Sequence, residues 1–292
     1  MKPSPFTYHR PASVGEAVAT LAELGGDGKV LAGGQSLVPL MSMRLSAPDH
    51  LVDINGLAEL DTVEATDRRV RIGAAARQAR VEHDAAVREA VPLLGRALAN
   101  VAHPTIRNRG TVVGSLVHAD PSAELPAVLL LLGGTMELRS PDGVRDVAAA
   151  DFFLGPMSTS VRPGELAVAA RFPRQPAGSG TAFVEVSRRH GDFALCGVGA
   201  VADTDADGAI TSARVALVGV GGTAMVVDLT PAVRGSGGDL DPSARDGLVD
   251  EQIDPEDDIH ATADYRRQLA RVLTGRALEQ AVAGARNGGR RR

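Results

Sequence analysis

The chain has 292 residues, of which 44% are hydrophobic and only 3% aromatic, and it carries a net charge of −5. That length accommodates one large domain or two to three modest ones, and the acidic balance speaks against nucleic acid as a partner. A single cysteine, Cys196, excludes an intramolecular disulfide and an iron–sulfur cluster held by this chain's own thiolates.

The elements follow in chain order. Ser13 with Glu16 reads as a capping box, and Val14, Ala17, Val18 and Leu21 share one helical face that Gly25-Gly26 ends. Lys29–Ala32 reads as a short buried strand, Leu37–Leu45 as a helix and His50–Ile54 as a second strand, so the unit is β–loop–α–β. Thr62–Ala65 and Arg69–Gly73 alternate like a hairpin around Thr66-Asp67. Helices are expected at Gln78–Ala90, Leu93–Asn100 and Pro121–Leu132, and strands at Thr135–Arg139 and Leu166–Phe172.

Phe172–Gly180 is the best linker, because Pro and Gly cluster where apolar periodicity stops. Beyond it, Thr181–Arg188, Ala194–Val201 and Ala213–Val220 read as antiparallel strands. Gly235–Asp246 reads as a surface loop, Ala263–Ala283 as an amphipathic helix and Arg286–Arg292 as a frayed, solvated tail. Met1–Phe6 has no apolar signal region and no stretch is long enough to span a membrane, so a cytoplasmic protein is expected.

Two glycine-rich segments stand out. Ala32-Gly33-Gly34-Gln35-Ser36 and Thr111-Val112-Val113-Gly114-Ser115 each follow a short apolar run and precede a helical pattern. Glycine lets the main chain approach a phosphate closely, and convergent N–H groups are the donors such a group needs. Ser36, Thr111 and Ser115 could add hydroxyls. Neither segment contains lysine or reads G-x-G-x-x-G, which excludes a Walker-type loop and the usual dinucleotide fingerprint. As a pair they suggest a diphosphate held between two backbone cradles; each taken alone also reads as an ordinary strand–turn connection.

The series Tyr8-x-Arg10-Pro11, Ala32–Ser36, Ile106-Arg107-Asn108-Arg109-Gly110-Thr111, His118-Ala119-Asp120-Pro121 and Glu124-Leu125-Pro126 resembles the FAD-binding medium subunit of molybdenum hydroxylases. These are enzymes of the xanthine dehydrogenase and aerobic carbon monoxide dehydrogenase type. Gly191–Leu195, Gly219–Thr223 and Asp258-Ile259-His260-Ala261-x-x-x-Tyr265-Arg266 extend the resemblance over essentially the whole chain. It implies an α+β protein, with a two-domain FAD-binding fold of the PCMH/vanillyl-alcohol-oxidase type and a C-terminal domain of antiparallel sheet with helices. The expected divisions are 1–60, 61–175 and 176–292.

The resemblance further implies FAD as cofactor, with its diphosphate on Ala32, Gly33, Gly34, Gln35, Ser36 and Leu37 and on Thr111, Val113, Gly114 and Ser115. Glu124 matches an acidic position near the flavin ring, and Asp192 lies in a segment expected to approach it. The implied partners are a large molybdenum-cofactor subunit and a small 2Fe–2S subunit, in a dimer of heterotrimers. Electrons would pass from the clusters through FAD to an external acceptor. One departure is Val113, which stands where the family has glycine. A β-branched residue is strained at positive φ, so an extended backbone is expected there.

Other constellations are weaker. Ser115, His118 and Asp120 lack the Gly-x-Ser-x-Gly elbow of a hydrolase, and His118 is read as a polar partner near the cofactor or a loop-packing residue. The histidines lack ligand spacing, so no metal site is expected. Arg107 and Arg109 are read as structural ion-pair formers in preference to residues that face the pyrophosphate, Tyr265 as a core or interface residue, and the acidic run Asp250–Asp258 as a solvated loop. A self-contained FAD oxidase or dehydrogenase and a redox-silent bridging subunit remain the alternatives.

Overall fold

The computed structural model describes residues 2–234 and 239–289. Its first layer is built from β1 (Thr7–His9), α1 (Val14–Leu24), β2 (Gly28–Leu31), α2 (Leu37–Ser42) and β3 (His50–Asp53). Ser13 caps α1 by accepting from the Glu16 amide at 3.1 Å, and the Glu16 carboxylate reaches back to the Ala12 amide at 2.7 Å. Val14, Ala17, Val18 and Leu21 are the buried face, as their spacing requires. The strands are parallel in the order β1-β3-β2, so the first glycine segment leaves the carboxyl end of β2.

The next layer comprises β4 (Val63–Ala65), β5 (Arg69–Gly73), α3 (Gln78–His83), α4 (Ala85–Ala90), α5 (Pro92–Leu98), α6 (Pro104–Arg107), α7 (Val112–His118) and α8 (Glu124–Leu131). It continues with β6 (Thr135–Ser140), β7 (Gly143–Ala148), α9 (Ala149–Phe152), β8 (Phe153–Gly155), β9 (Ser158–Thr159) and β10 (Leu166–Pro173). The sheet order is β4-β5-β10-β6-β7, antiparallel throughout. The expected helix over Gln78–Ala90 is two helices. Asp84 breaks it, because its carboxylate accepts from the Ala86 and Val87 amides and starts α4. The helix expected from Pro121 begins only at Glu124, since Asp120 takes the Ser122 amide in a turn.

After the stretch 174–179 come β11 (Gly180–Ser187), β12 (Ala194–Thr204), β13 (Ile210–Val218), β14 (Met225–Asp228), β15 (Val233–Arg234), β16 (Asp239–Leu240), α10 (Pro242–Asp250) and α11 (Ala263–Gly289). Strands β11 to β14 form an antiparallel meander. Residues 194–202 of β12 are all buried, because both faces of the strand are covered. Cys196, Val198, Ala200 and Ala202 pack with the α11 residues Leu273 and Ala277, whereas Val201 joins the core that contains α8.

Three expectations for this region need correction. Pro242–Asp250 is helical, because Asp241 caps it through the Ser243 and Ala244 amides; residues 235–238 of the expected loop lie outside the described residues. Helix α11 runs to Gly289, and Arg286 donates to the Gly208 carbonyl at 2.8 Å; residues 290–292 lie outside the described residues. Of the two places read for Tyr265, core or interface, its 43% exposure excludes the core.

The acidic run is not merely solvated. Asp250 pairs with Arg271 across the α10–α11 contact, and Asp258 accepts from the His260 and Ala261 amides and from Arg266. Among the described residues no helix is long and apolar enough to cross a membrane.

Candidate functional site

The first segment turns sharply after β2. Gly34 sits at φ 71°, a conformation that favours glycine, and Gln35 Nε2 donates to the Gly33 carbonyl at 3.0 Å. The Val38 amide bonds to Gly34 O and the Leu40 amide to Ser36 O, which begins α2. The amides of Gly33, Gly34, Gln35, Ser36 and Leu37 donate to no backbone carbonyl. Five consecutive uncommitted N–H groups form a concave donor set for an anion.

The second segment is not a loop. Thr111 is the N-cap of α7: its Oγ1 accepts from the Gly114 amide at 3.0 Å, and its carbonyl accepts from the Ser115 amide at 3.2 Å. Val113 is therefore helical rather than extended, and its side chain is only 2% exposed in the main core. A helical φ suits a β-branched residue, so glycine is not required there.

Val113→Gly is expected to lower stability by about 2–4 kcal/mol, through lost burial and helix propensity. FAD affinity should stay within about threefold, since the main-chain N–H is retained. Denaturant unfolding beside a flavin titration checks both.

The first segment packs at Gly33 against the main chain that leads into the second. A methyl group on Gly33 would overlap the Arg109 carbonyl oxygen and lie 2.7 Å from Gly110 Cα. A methyl on Gly110 would lie 2.6 Å from Gln78 Oε1. At Gly33 the neighbour is main chain and cannot retreat, whereas at Gly110 it is the end of a side chain.

Beside this contact opens a cavity of about 690 Å³. All thirteen residues assigned from sequence line it: Ala32, Gly33, Gly34, Gln35, Ser36, Leu37, Thr111, Val113, Gly114, Ser115, His118, Glu124 and Asp192. It also takes in Lys29, Gln78, His103, Glu165 and Phe193, which the sequence reading did not single out. Neither segment contains lysine, but Lys29, four residues before Gly33 on β2, brings an ammonium to the same cavity.

Gln78 is the most informative addition. It is 4% exposed, its Nε2 donates to Thr111 O at 3.5 Å, and its Oε1 has no hydrogen-bond partner. Its Oε1 packs against Gly110, so this side chain fixes the wall of the cavity beside the second segment. Its only sequence signal was a polar residue that follows the apolar run Ala74-Ala75-Ala76.

Glu124, at the start of α8, is 6% exposed. Burial, reinforced by the Asp120 charge and opposed by its own amide and by Arg107, pushes its carboxyl up to about 7. Glu185 on β11 is raised to about 8 by burial and by the Glu124 charge, and its Oε2 has no hydrogen-bond partner. Both groups bind their proton more tightly in the folded than in the unfolded chain. Folding stability therefore falls as pH rises from about 4.5 through 7 to 8. Glu124→Gln is expected to shallow this slope and to lower the Glu185 titration, because the like charge is gone; melting temperature against pH measures it.

Arg107 is structural, as expected: it is 8% exposed, pairs with Glu82 at 2.7 Å and donates to the Val101 and Ala102 carbonyls. Arg109 is exposed and contributes its carbonyl rather than its charge. No hydrogen bond joins Ser115, His118 and Asp120 to one another, so they form no triad in this arrangement. Cys196 is buried, with its thiol pushed up to about 12 by desolvation against a lowering influence from Arg266, and is therefore inert.

A cavity with a row of free amides at one wall and a lysine at the rim fits a large anionic cofactor. Comparison with known proteins identifies it. Residues 4–175 match the model of the FAD binding domain in molybdopterin dehydrogenase, and residues 181–281 match that of the CO dehydrogenase flavoprotein C-terminal domain.

The chain is 39% identical over 294 residues to the 6-hydroxypseudooxynicotine dehydrogenase complex subunit alpha of Paenarthrobacter nicotinovorans, covering 98% of this chain and 97% of that one. It is 36% identical over 290 residues to the carbon monoxide dehydrogenase medium chain of Afipia carboxidovorans, covering 98% and 100%. The fold superposes on a chain of the carbon monoxide dehydrogenase of Hydrogenophaga pseudoflava with a TM-score of 0.92 at 36% identity, covering 97% and 99%. The chain belongs to the FAD-binding medium-subunit family of the molybdenum hydroxylases, and it is an oxidoreductase subunit of a multi-subunit assembly.

Proposed function

We propose that this subunit takes electrons from iron–sulfur clusters on a small 2Fe–2S partner and passes them through FAD to an external acceptor. The substrate would be hydroxylated on a large molybdenum-cofactor subunit, in a dimer of heterotrimers. The observation that carries the reading is the convergence of both glycine segments, Glu124 and Asp192 on one cavity.

FAD supplies the redox chemistry, which includes electron exchange one or two at a time. The protein binds, orients and shields. The amides of residues 33–37 hold the diphosphate, with Lys29 adding charge at the rim. Gln78 would hold the wall in place through Thr111 O and its packing on Gly110. Val113, Leu166 and Ala167 wall off water. With its carboxyl near 7, Glu124 presents a part-protonated group to the cavity at neutral pH. No residue is assigned as a general acid or base. Asp192, held by Arg188 and Arg189 at 3.6 and 3.3 Å, is assigned to the approach toward the ring. The compartment we assign is the cytoplasm, since the single buried thiol calls for no oxidising environment.

Anaerobic rapid mixing tests the reading. Flavin absorbance of the FAD-loaded chain should bleach on mixing with the reduced 2Fe–2S partner, and should persist with organic substrate alone. Direct reduction by an organic substrate would make the chain a self-contained flavin enzyme instead.

A further inference from the structure

A line of hydrogen bonds runs beneath the two glycine segments and takes no part in the redox reading. Asn55, two residues past β3, is exposed, yet both ends of its amide are engaged. Its Nδ2 donates to the Ala32 carbonyl at 2.8 Å and to Asp53 Oδ1 at 2.6 Å, while its Oδ1 accepts from Arg77 Nη2 at 2.7 Å. Arg77, the N-cap residue of α3, sends Nη1 to the Arg109 carbonyl. Asp53 closes the line by accepting from the Asn55 amide at 2.8 Å and from the Tyr8 hydroxyl. The Arg109 carbonyl is the same one against which Gly33 packs.

We propose that Asn55 and Arg77 are positioning residues for the cofactor, a clamp that ties Ala32 to Arg109 and so fixes the backbone donors of the first segment against the start of α7. Neither residue lines the cavity, so both act through main chain. The Ala32 carbonyl directly adjoins the Gly33 amide, and the Arg109 carbonyl lies two residues before Thr111, the cap of α7, so any slip in the clamp shifts the first segment's amides against α7. Arginine suits the role because its planar fork gives two directed donors from one rigid group. Arg77 forms no carboxylate ion pair among the described residues, which leaves the bridge as its bonding role. Donors fixed in advance bind an anion without the cost of ordering themselves.

The inference rests on the cavity being the FAD site, and the test separates the two. FAD titrations of the full chain are run on wild type, Arg77→Ala, Asn55→Ala, the double variant and Arg77→Lys. Hydrogen exchange of the FAD-free chain is followed over peptides covering residues 28–45 and 104–118. The clamp predicts affinity at least about tenfold weaker in each alanine variant, a double variant little worse than the weaker single, and faster exchange confined to those two stretches.

FAD-free melting temperature should stay near that of wild type, because Asn55 is exposed and the half-buried Arg77 has no carboxylate pair to lose among the described residues. Arg77→Lys should remain weak, since one ammonium lacks the fork that joins both acceptors. Unchanged exchange in the alanine variants, or full rescue by lysine, would overturn the clamp. A wild-type chain that takes up no FAD, with exchange altered as expected, would overturn the cofactor reading and leave the tie between segments standing without its assigned role.

Discussion

Gly33→Ala should weaken FAD binding by at least about a hundredfold while the chain still folds. The added methyl meets the Arg109 carbonyl and Gly110 Cα, both main chain, so no side-chain rotation relieves the overlap. The two segments must part, and the amides of residues 33–37 then lose their alignment with α7. Gly34→Ala is a useful contrast. Its clash is milder, with Leu31 Cδ1 and Val38 Cγ2 at 3.3 Å, but alanine at φ 71° is strained, at a cost of about 1 kcal/mol. A flavin fluorescence titration of both variants should show the larger loss at residue 33. Wild-type affinity in Gly33→Ala would mean that the contact between the segments does not govern the cofactor.

The second large effect belongs to Arg266. Only 6% exposed, it donates to the Leu195 carbonyl at 2.6 Å, to the Gly219 carbonyl at 2.8 Å and to Asp258 at 2.7 Å. It thus pins the start of α11 to the Leu195 end of β12 and to the turn after β13. Removal leaves two inner carbonyls without a donor, so Arg266→Ala is expected to cost about 3–5 kcal/mol. Urea unfolding should show a lower midpoint with an unchanged slope.

Burial works to raise the Asp258 carboxyl, but the Ala261 and His260 amides and Arg266 outweigh it and hold it at about 2. Being depressed, this acid contributes stability that is present above about pH 4 and lost as pH falls toward 2. The acid limb of the wild-type stability curve should therefore flatten in Arg266→Ala.

Much of this was legible in the sequence, for identifiable reasons. Helix α1 declared itself because cap, apolar face and terminal glycine agree, strands β2 and β3 because their apolar runs end at turn residues, and β5 because its residues alternate beyond the Thr66-Asp67 turn. The members of the cavity were legible through resemblance rather than periodicity: nothing in the spacing of Ala32, Thr111, Glu124 and Asp192 says that they meet.

The misreadings share a cause. Asp84, Thr111 and Asp241 each spend a side-chain oxygen on a backbone amide, and that local bond decides where a helix starts. Thr111-Val112-Val113-Gly114 looked like a loop because glycine was read as a turn residue; the threonine cap made it a helix. Gln78 and the Asn55–Arg77 line were invisible, because their significance lies in partners at distant positions such as Thr111 and Arg109.

The central claim is that the cavity between the two glycine segments holds FAD. The most direct measurement is the absorption spectrum of the purified chain, followed by release of the bound flavin and its identification by chromatography. The account predicts FAD at one equivalent per chain, retained in Val113→Gly and lost in Gly33→Ala. A colourless chain that cannot be reconstituted with FAD, alone or with its partner subunits, would contradict it.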